Sequence, residues 1–439
     1  MSHPTEPDRA YAGAIEERTR TLVAGAAPEA SPFGGAPSDL ADDVERGAED
    51  LGDRLRHVVQ HLHAHPETAF EEHHSAMLLH QELARHGIDA RLGVHGVETS
   101  VRAETGGADR GPTIAILAEY DALPGIGHAC GHNVIAAAGL GAFLALAAVA
   151  DRLPGRVVLL GTPAEEGHSG KEVMARNGAF EDVDAAIMVH PYGYDLADQV
   201  WLGRRLLTLT FTGVEAHASA QPFMGRNALD AVSLAYQGIG LLRQQLPPSD
   251  RVHANITDGG QSPNIIPGRA VMKLYARSRQ PATLKDLSAR LEDVARGAAL
   301  MTGTGVELQW DEYPPSLPIR TNTALTGRWV AAQQRRGRSP LPLGVVSETL
   351  AASTDFGNVS YRIPGIHPLI RIADPATALH TREFAVAAAS GAAESAAVDG
   401  AVGLALTALD YLLDAPLREA VHAEFQAQGG PIDVPSYFA

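Results

Sequence analysis

RVVLLGTPAEEG, residues 156–167, runs from a block of valine and leucine straight into a proline and two adjacent carboxylates. A short continuous apolar run bounded by Gly and Pro reads as a strand buried on both faces of a parallel sheet. Two further runs share this form. TIAILA at 113–118 leads into Glu119, Asp121 and the glycine-rich loop GIGHACGHN, and AAIMV at 185–189 leads into His190 and Pro191. In an open α/β sheet, ligands and catalytic groups gather beyond the carboxyl ends of the strands, where loops converge. Three strand ends therefore deliver Cys130, His132, Glu165, Glu166 and His190 to one crevice.

The chain has 439 residues, long for one core, and its 45% hydrophobic content is ample for two. Residues 1–38 are polar and close on the Gly/Pro/Ser-rich stretch EASPFGGAPSD, which predicts an extension with one helix over 9–23 and then a linker. Leu51, Leu55, Val58, Val59 and Leu62 recur at helical spacing, predicting a helix within 40–63, and a second follows over 71–86. The Ala/Gly-rich stretch 134–150 is shorter than the ~20 residues that span a bilayer, and reads as a helix packed closely on the sheet.

Residues 206–314 change character. Strand-like runs at 206–213, 252–257, 270–277 and 306–310 alternate with helical periodicity at 226–245 and 283–301, an order of β-α-β-β-α-β that is the ferredoxin-like unit. Its strand at 206–211 is expected to offer an edge to a second chain. The expected fold is thus α/β. A catalytic domain of residues 39–205 and 315–439, with a mostly parallel central sheet flanked by helices and a long helix over 384–413, is interrupted by a smaller α+β domain at 206–314.

A formal net charge of −17 disfavours nucleic acid and anionic membrane as partners, since phosphate neutralisation needs clustered Lys and Arg. The single cysteine, Cys130, excludes an intrachain disulfide and fits a reducing compartment. The first residues carry no basic region followed by an apolar core, so a cytoplasmic location is expected. Eight of the nineteen histidines lie between His57 and His86. His57 and His61 are four apart on a helix, but with no cysteine or carboxylate cluster alongside they read as solvated side chains.

Borderline-soft ions such as zinc take His nitrogen, Cys sulfur and carboxylate oxygen, and hydrolytic sites leave a position open for water. Cys130, His132, Glu166 and His190 supply this chemistry. A further histidine is needed from the C-terminal part: His380, in ALHTREF, is the candidate, whereas His367 sits in the turn-like PGIHP and reads as structural. Adjacent glutamates after a strand point in different directions, so one can coordinate while the other faces the bound water and carries its proton.

GHACGHN, TPAEEG about thirty residues later, and a strand-ending histidine together resemble the dinuclear metallo-aminoacylase and carboxypeptidase superfamily. The likeness runs from HPETAFEE (residues 65–72) to ALHTREF. HACGHN, GRNALDAV and STDFGNVSY are similar to the branch of aminobenzoyl-glutamate hydrolase and β-alanyl-lysine dipeptidase, which also contains indole-acetyl-amino-acid hydrolases. The resemblance implies two divalent metal ions per chain, zinc with manganese or cobalt as alternatives, on Cys130, His132, Glu166, His190 and His380. It implies Glu165 as general base and acid, with Glu119 and Asp121 supporting the ligands, although Asn133 departs from the commoner Asp.

The same resemblance makes the inserted domain a lid and homodimerisation module. His217, in GVEAHASAQP, is implied as the donor to the oxyanion in the partner subunit, and Asn264 and Arg277 as holders of the substrate's carboxylate. The expected reaction is hydrolysis of an amide in an N-acyl amino acid, dipeptide or aroyl-amino acid. Rival readings are a carbamoyl amide or ester hydrolase, a non-catalytic binding relative, and a hydrolase with Cys130 as nucleophile.

Overall fold

The three runs read as buried strands lie side by side. Thr113–Ala118 is parallel to Arg156–Gly161 on one side and to Ala185–Ile187 on the other. Gly365–Ile366 continues the sheet in parallel, while Val101–Gly106 and then Ala90–Leu92 extend the opposite edge in antiparallel fashion. All six residues of Thr113–Ala118 are buried, which is why the run lacks polar alternation. The computed structural model describes residues 5–107 and 111–439; residues 1–4 of the expected extension lie outside these.

The chain divides into a larger unit, Met1–Val200 with Arg320–Ala351 and Val359–Ile432, and a smaller one, Trp201–Ile319 with Ala352–Asn358 and Asp433–Ala439. In the larger unit, His132–Ala147 is buried at every residue but the last. Its small side chains permit close approach: a Cβ on Gly139 would lie 3.0 Å from the Leu117 carbonyl oxygen, and one on Gly400 would lie 3.1 Å from the Ala138 Cβ. Gly400 belongs to Gly391–Leu413, a helix long and apolar enough to cross a membrane, yet with 89% of its most apolar window buried inside the protein.

Local chemistry divides two helices that periodicity alone runs together. The stretch 40–63 is two helices, Ser38–Asp50 and Gly52–Ala64, meeting at Leu51. The stretch 384–413 is likewise split, because the Ser390 side chain accepts from the Ala393 N–H and starts a new helix there. The Gly/Pro-rich linker is fastened to the larger unit: the Gly35 and Ala36 amides donate to Asp414 and Asp410 at 2.9 and 2.7 Å.

In the smaller unit the strand order is Gly305–Trp310, Gly203–Thr212, Arg269–Ser278, Arg251–Asp258, with every neighbouring pair antiparallel. This is the ferredoxin-like arrangement, with Leu207, Leu209 and Phe211 packed against helices Ala228–Leu242 and Pro281–Thr302. One expectation fails. Gly203–Thr212 is an interior strand, because β-α-β-β-α-β places its first and third strands at the centre; the edges are Gly305–Trp310 and Arg251–Asp258. The unit also gathers 352–358 and 433–439, which had been read with the larger domain. Asn358 accepts from the Leu317 N–H at 2.7 Å, and the Arg205 guanidinium stacks between Trp310 and Phe438.

The closeness of the central helices has a measurable cost for extra volume. A Cβ on Gly141 would come within 2.6 Å of Leu55 Cδ1 and 2.9 Å of Ala401 Cβ. Gly141→Val is expected to lower unfolding stability by about 1–3 kcal/mol through overpacking, read as a lower urea midpoint at unchanged slope. A midpoint equal to the native one would contradict this packing.

Candidate metal centre

Beyond Ala118 the chain turns through buried Glu119 and Asp121 to the loop that presents Cys130 and His132. Gly131 between them has φ +85°, and a Cβ there would press within 2.9 Å of the Pro191 ring, so glycine is required. His132 opens the buried helix. Its Nδ1 lies 3.0 Å from Asp121 Oδ1, and its Nε2 lies 3.4 Å from Glu119 Oε2 and 4.0 Å from Glu166 Oε1. The second Asp121 oxygen accepts the Glu166 N–H at 2.8 Å, so one carboxylate orients both residues.

The glutamates follow a left-handed residue, Ala164, at φ +61°. Its N–H donates to Glu72 Oε1 at 2.8 Å, while the Thr99 hydroxyl donates to Glu72 Oε2 at 2.8 Å. Glu72 is fully buried, and burial together with the nearby Asp121 charge pushes its carboxyl up to about 7. Glu166 Oε1 lies 3.3 Å from His380 Nε2. His380 is also left-handed, at φ +62°, and its N–H donates to the Ala129 carbonyl at 2.9 Å. His190 Nδ1–H donates to the Pro191 carbonyl at 2.7 Å, which turns Nε2 toward Cys130 Sγ at 3.4 Å.

These contacts make three overlapping sets, Cys130 with His132 and His190, Cys130 with Glu166 and His380, and His132 with Glu165 and Glu166, whose ligand atoms within each set lie within 4.8 Å of one another. The donor set fits divalent metal ions. His132 Nε2 and Glu166 Oε1 are buried without a hydrogen-bond partner, and both are lone-pair atoms turned to the same space. Burial and the Glu166 charge push the Cys130 thiol well up, so a thiolate nucleophile is disfavoured unless a cation offsets that charge. Burial pushes Asp121 up as well, but the His132 imidazole and its hydrogen bond hold the carboxyl below its ordinary value.

Two further buried side chains lie nearby, of which only Lys171 escaped the sequence reading. Lys171 pairs with Glu119 Oε1, and no spacing or motif marks it. His367, read as a turn residue, is buried with its ring 5.5 Å from that of His190. Asn133 ties the start of the His132 helix to its neighbours by donating to the carbonyls of Val59 and Ala388 at 3.1 and 2.9 Å.

In the smaller unit, Ala216–His217 pairs with Ile265–Ile266, which brings His217 beside Asn264: the Asn264 carbonyl accepts the Ala218 N–H at 3.0 Å. His217 is exposed, and its Nδ1 accepts the N–H groups of Ser219 and Ala220 at 3.3 and 3.1 Å, which leaves the proton on Nε2. Arg277 is elsewhere. It stands at the far end of Arg269–Ser278, opposite Arg204 and Arg251, where burial and those two charges pull its guanidinium down. Eight residues of extended strand are about 27 Å, so Asn264 and Arg277 stand well apart within one chain.

A match to Peptidase family M20/M25/M40 spans residues 115–393. The chain belongs to this family. That membership makes it a metallo-amidohydrolase, and several relatives match over nearly their whole length. The Xaa-Arg dipeptidase of Mus musculus is 37% identical over 406 residues, covering 88% of this chain and 91% of the relative. A p-aminobenzoyl-glutamate hydrolase chain of Escherichia coli (strain K12) is 31% identical, covering 85% of this chain and 92% of its own length. The Bacillus subtilis YXEP protein, described as a dinuclear metal binding peptidase from the M20 family, shares the fold at a TM-score of 0.64 and 22% identity, covering 82% of this chain and 99% of its own.

Glu72 gives this M20 chain a pH signature. An acid raised from 4.5 to about 7 holds on folding a proton that the unfolded chain releases, so stability falls as pH rises through that window. Glu72→Gln, neutral throughout, is expected to remove a decline of up to about 3 kcal/mol. Urea midpoints of both proteins at pH 5 and at about pH 8 check it, and parallel pH dependences would refute it.

Proposed function

We propose that this chain hydrolyses the amide bond of dipeptides, N-acyl amino acids or aroyl-amino acids, with Cys130, His132, Glu166, His190 and His380 holding two divalent ions and Glu165 moving the proton. The observation that carries this reading is the meeting of five donor side chains from four separate segments around one space, with Glu165 half-buried at its margin. Dipeptides head the substrate class, because the relative named Xaa-Arg dipeptidase is 37% identical over 88% of this chain. Zinc suits the thiol and imidazole donors best, and manganese or cobalt are the alternatives.

When bound, divalent ions at these ligands polarise the scissile carbonyl and bring water toward ionisation at neutral pH. The protein does the rest. Asp121 fixes His132 through Nδ1 and fixes Glu166 through its amide, so neither ligand reorganises during turnover. Glu165 takes a proton from the attacking water and returns it to the departing nitrogen. His217, with Nδ1 fixed by two backbone amides, presents Nε2–H as a donor to the carbonyl oxygen as it gains charge.

Because His217 is exposed, we assign that donation to the site of a partner subunit in a homodimer formed through the smaller unit, beside the exposed side chains of Phe223, Met224 and Ile265. Asn264 accompanies His217 there as a substrate contact. Arg277, about a strand length away in the same chain, is assigned to the substrate's carboxylate as well, through its fork of donors. The lone cysteine as a metal ligand fits a cytoplasmic protein.

Two variants test the division of labour. Glu165→Gln is expected to retain its metal and lose about 100- to 10,000-fold in kcat, whereas His190→Ala is expected to lose bound metal together with activity. Amine release from dipeptides and acyl-amino acids, measured beside metal content, checks both, and a fully active Glu165→Gln would overturn the proton-carrier role. Chelation should abolish hydrolysis and added zinc, manganese or cobalt restore it; activity that survives complete metal removal would return the Cys130 nucleophile to consideration.

A further inference from the structure

The turn between Gly52–Ala64 and His73–Arg85 carries a second knot of imidazoles in the larger unit, apart from the ligands named above. His61 Nε2 stands 2.7 Å from His74 Nε2, and the His61 ring lies 4.6 Å from that of His65 and 5.5 Å from that of His57. His61, His65 and His74 each offer one ring nitrogen within 4.8 Å of the other two. We propose that these three histidines form a surface site for a borderline transition-metal ion of the Zn2+ class, separate from the catalytic centre.

The three rings are held rather than loosely gathered. His65 follows the end of its helix, and its Nδ1–H donates to the His61 carbonyl at 2.8 Å, which turns Nε2 toward the cluster. His74 is fixed from behind. The Glu67 carboxylate accepts the His74 N–H at 2.9 Å and both the amide and the hydroxyl of Ser75 at 2.8 and 2.7 Å, so the first turn carrying His74 is pinned to the same connecting segment as His65. Arg54, on the helix that carries His61, is engaged with Glu82.

The His61–His74 contact is a hydrogen bond between two neutral rings that an ion can replace. Two ring nitrogens 2.7 Å apart share a single proton, since both cannot carry one. An ion with tetrahedral metal–nitrogen bonds of 2.0–2.1 Å sets such nitrogens about 3.3 Å apart, which a small rotation of either ring provides. Three imidazoles without a carboxylate select zinc, copper or nickel over magnesium or calcium. His65 and His74 are exposed and His61 is half-buried, so water completes the coordination from the open side. Sequence spacing shows only His57 and His61 on one helix; His74 comes from the next helix, and the fold supplies the third ligand.

The test uses the full chain, loaded with excess Zn2+ and then dialysed against micromolar free Zn2+, with bound zinc counted by plasma mass spectrometry and amide hydrolysis followed beside it. Native protein is expected to hold one zinc more per chain than the double variant His61→Ala with His74→Ala, at unchanged turnover and circular dichroism. His74→Gln, a milder change on the surface, is expected to lose the same ion. Equal zinc in the native protein and both variants would overturn the site, and so would a loss of zinc that carries hydrolysis away with it, which would assign the ion to the catalytic centre. The count needs no hydrolysis to be read, so failure of the proposed reaction leaves it interpretable.

Discussion

The larger unit is organised around a concentration of buried negative charge. Glu119, Asp121 and Glu166 lie around one histidine, His132, in a space that excludes most water. Burying one such carboxylate unpaired costs several kcal/mol, and neighbours of the same sign add to it. The chain answers with Lys171 against Glu119 and His132 against Asp121, and with ligand atoms that a divalent cation would satisfy. Without that compensation the arrangement would push apart, so the sheet and helices act first as a clamp.

The clamp relies on backbone shapes as much as on side chains. Gly131, Ala164, Gly167 and His380, next to or within the site, are left-handed, and Ala164 and His380 are not glycine. For the two that are not glycine such conformations cost of order 1–3 kcal/mol each and persist where the surroundings impose them. Here the impositions are visible: Glu72 holds the Ala164 amide, and the Ala129 carbonyl holds that of His380. The bends direct Glu166 and His380, from segments far apart in the sequence, toward the same point.

What the sequence disclosed and what it withheld follow from the range of the interactions involved. The strands 113–118, 156–161 and 185–187 were legible because a run buried on both faces has no polar alternation, and the residues at their carboxyl ends followed from sheet geometry. The ferredoxin-like unit was legible from the order of periodicities, but its central strand was read as an edge, since pairing partners are not written into a strand. The helix breaks at Leu51 and Ser390 depended on local capping that apolar spacing does not report. Lys171 and His74 escaped because each becomes informative only through neighbours that arrive from other segments.

The helix that begins with His132 is enclosed along its length, and Asn133 binds it to the helices on either side. A ligand carried on a loop can fray while its protein stays folded, but His132 has no such latitude. It belongs to the same cooperative block as the core. A divalent ion held through His132 would share in the unfolding of that block, so its release on heating would accompany one collective event instead of a gradual loosening of the pocket.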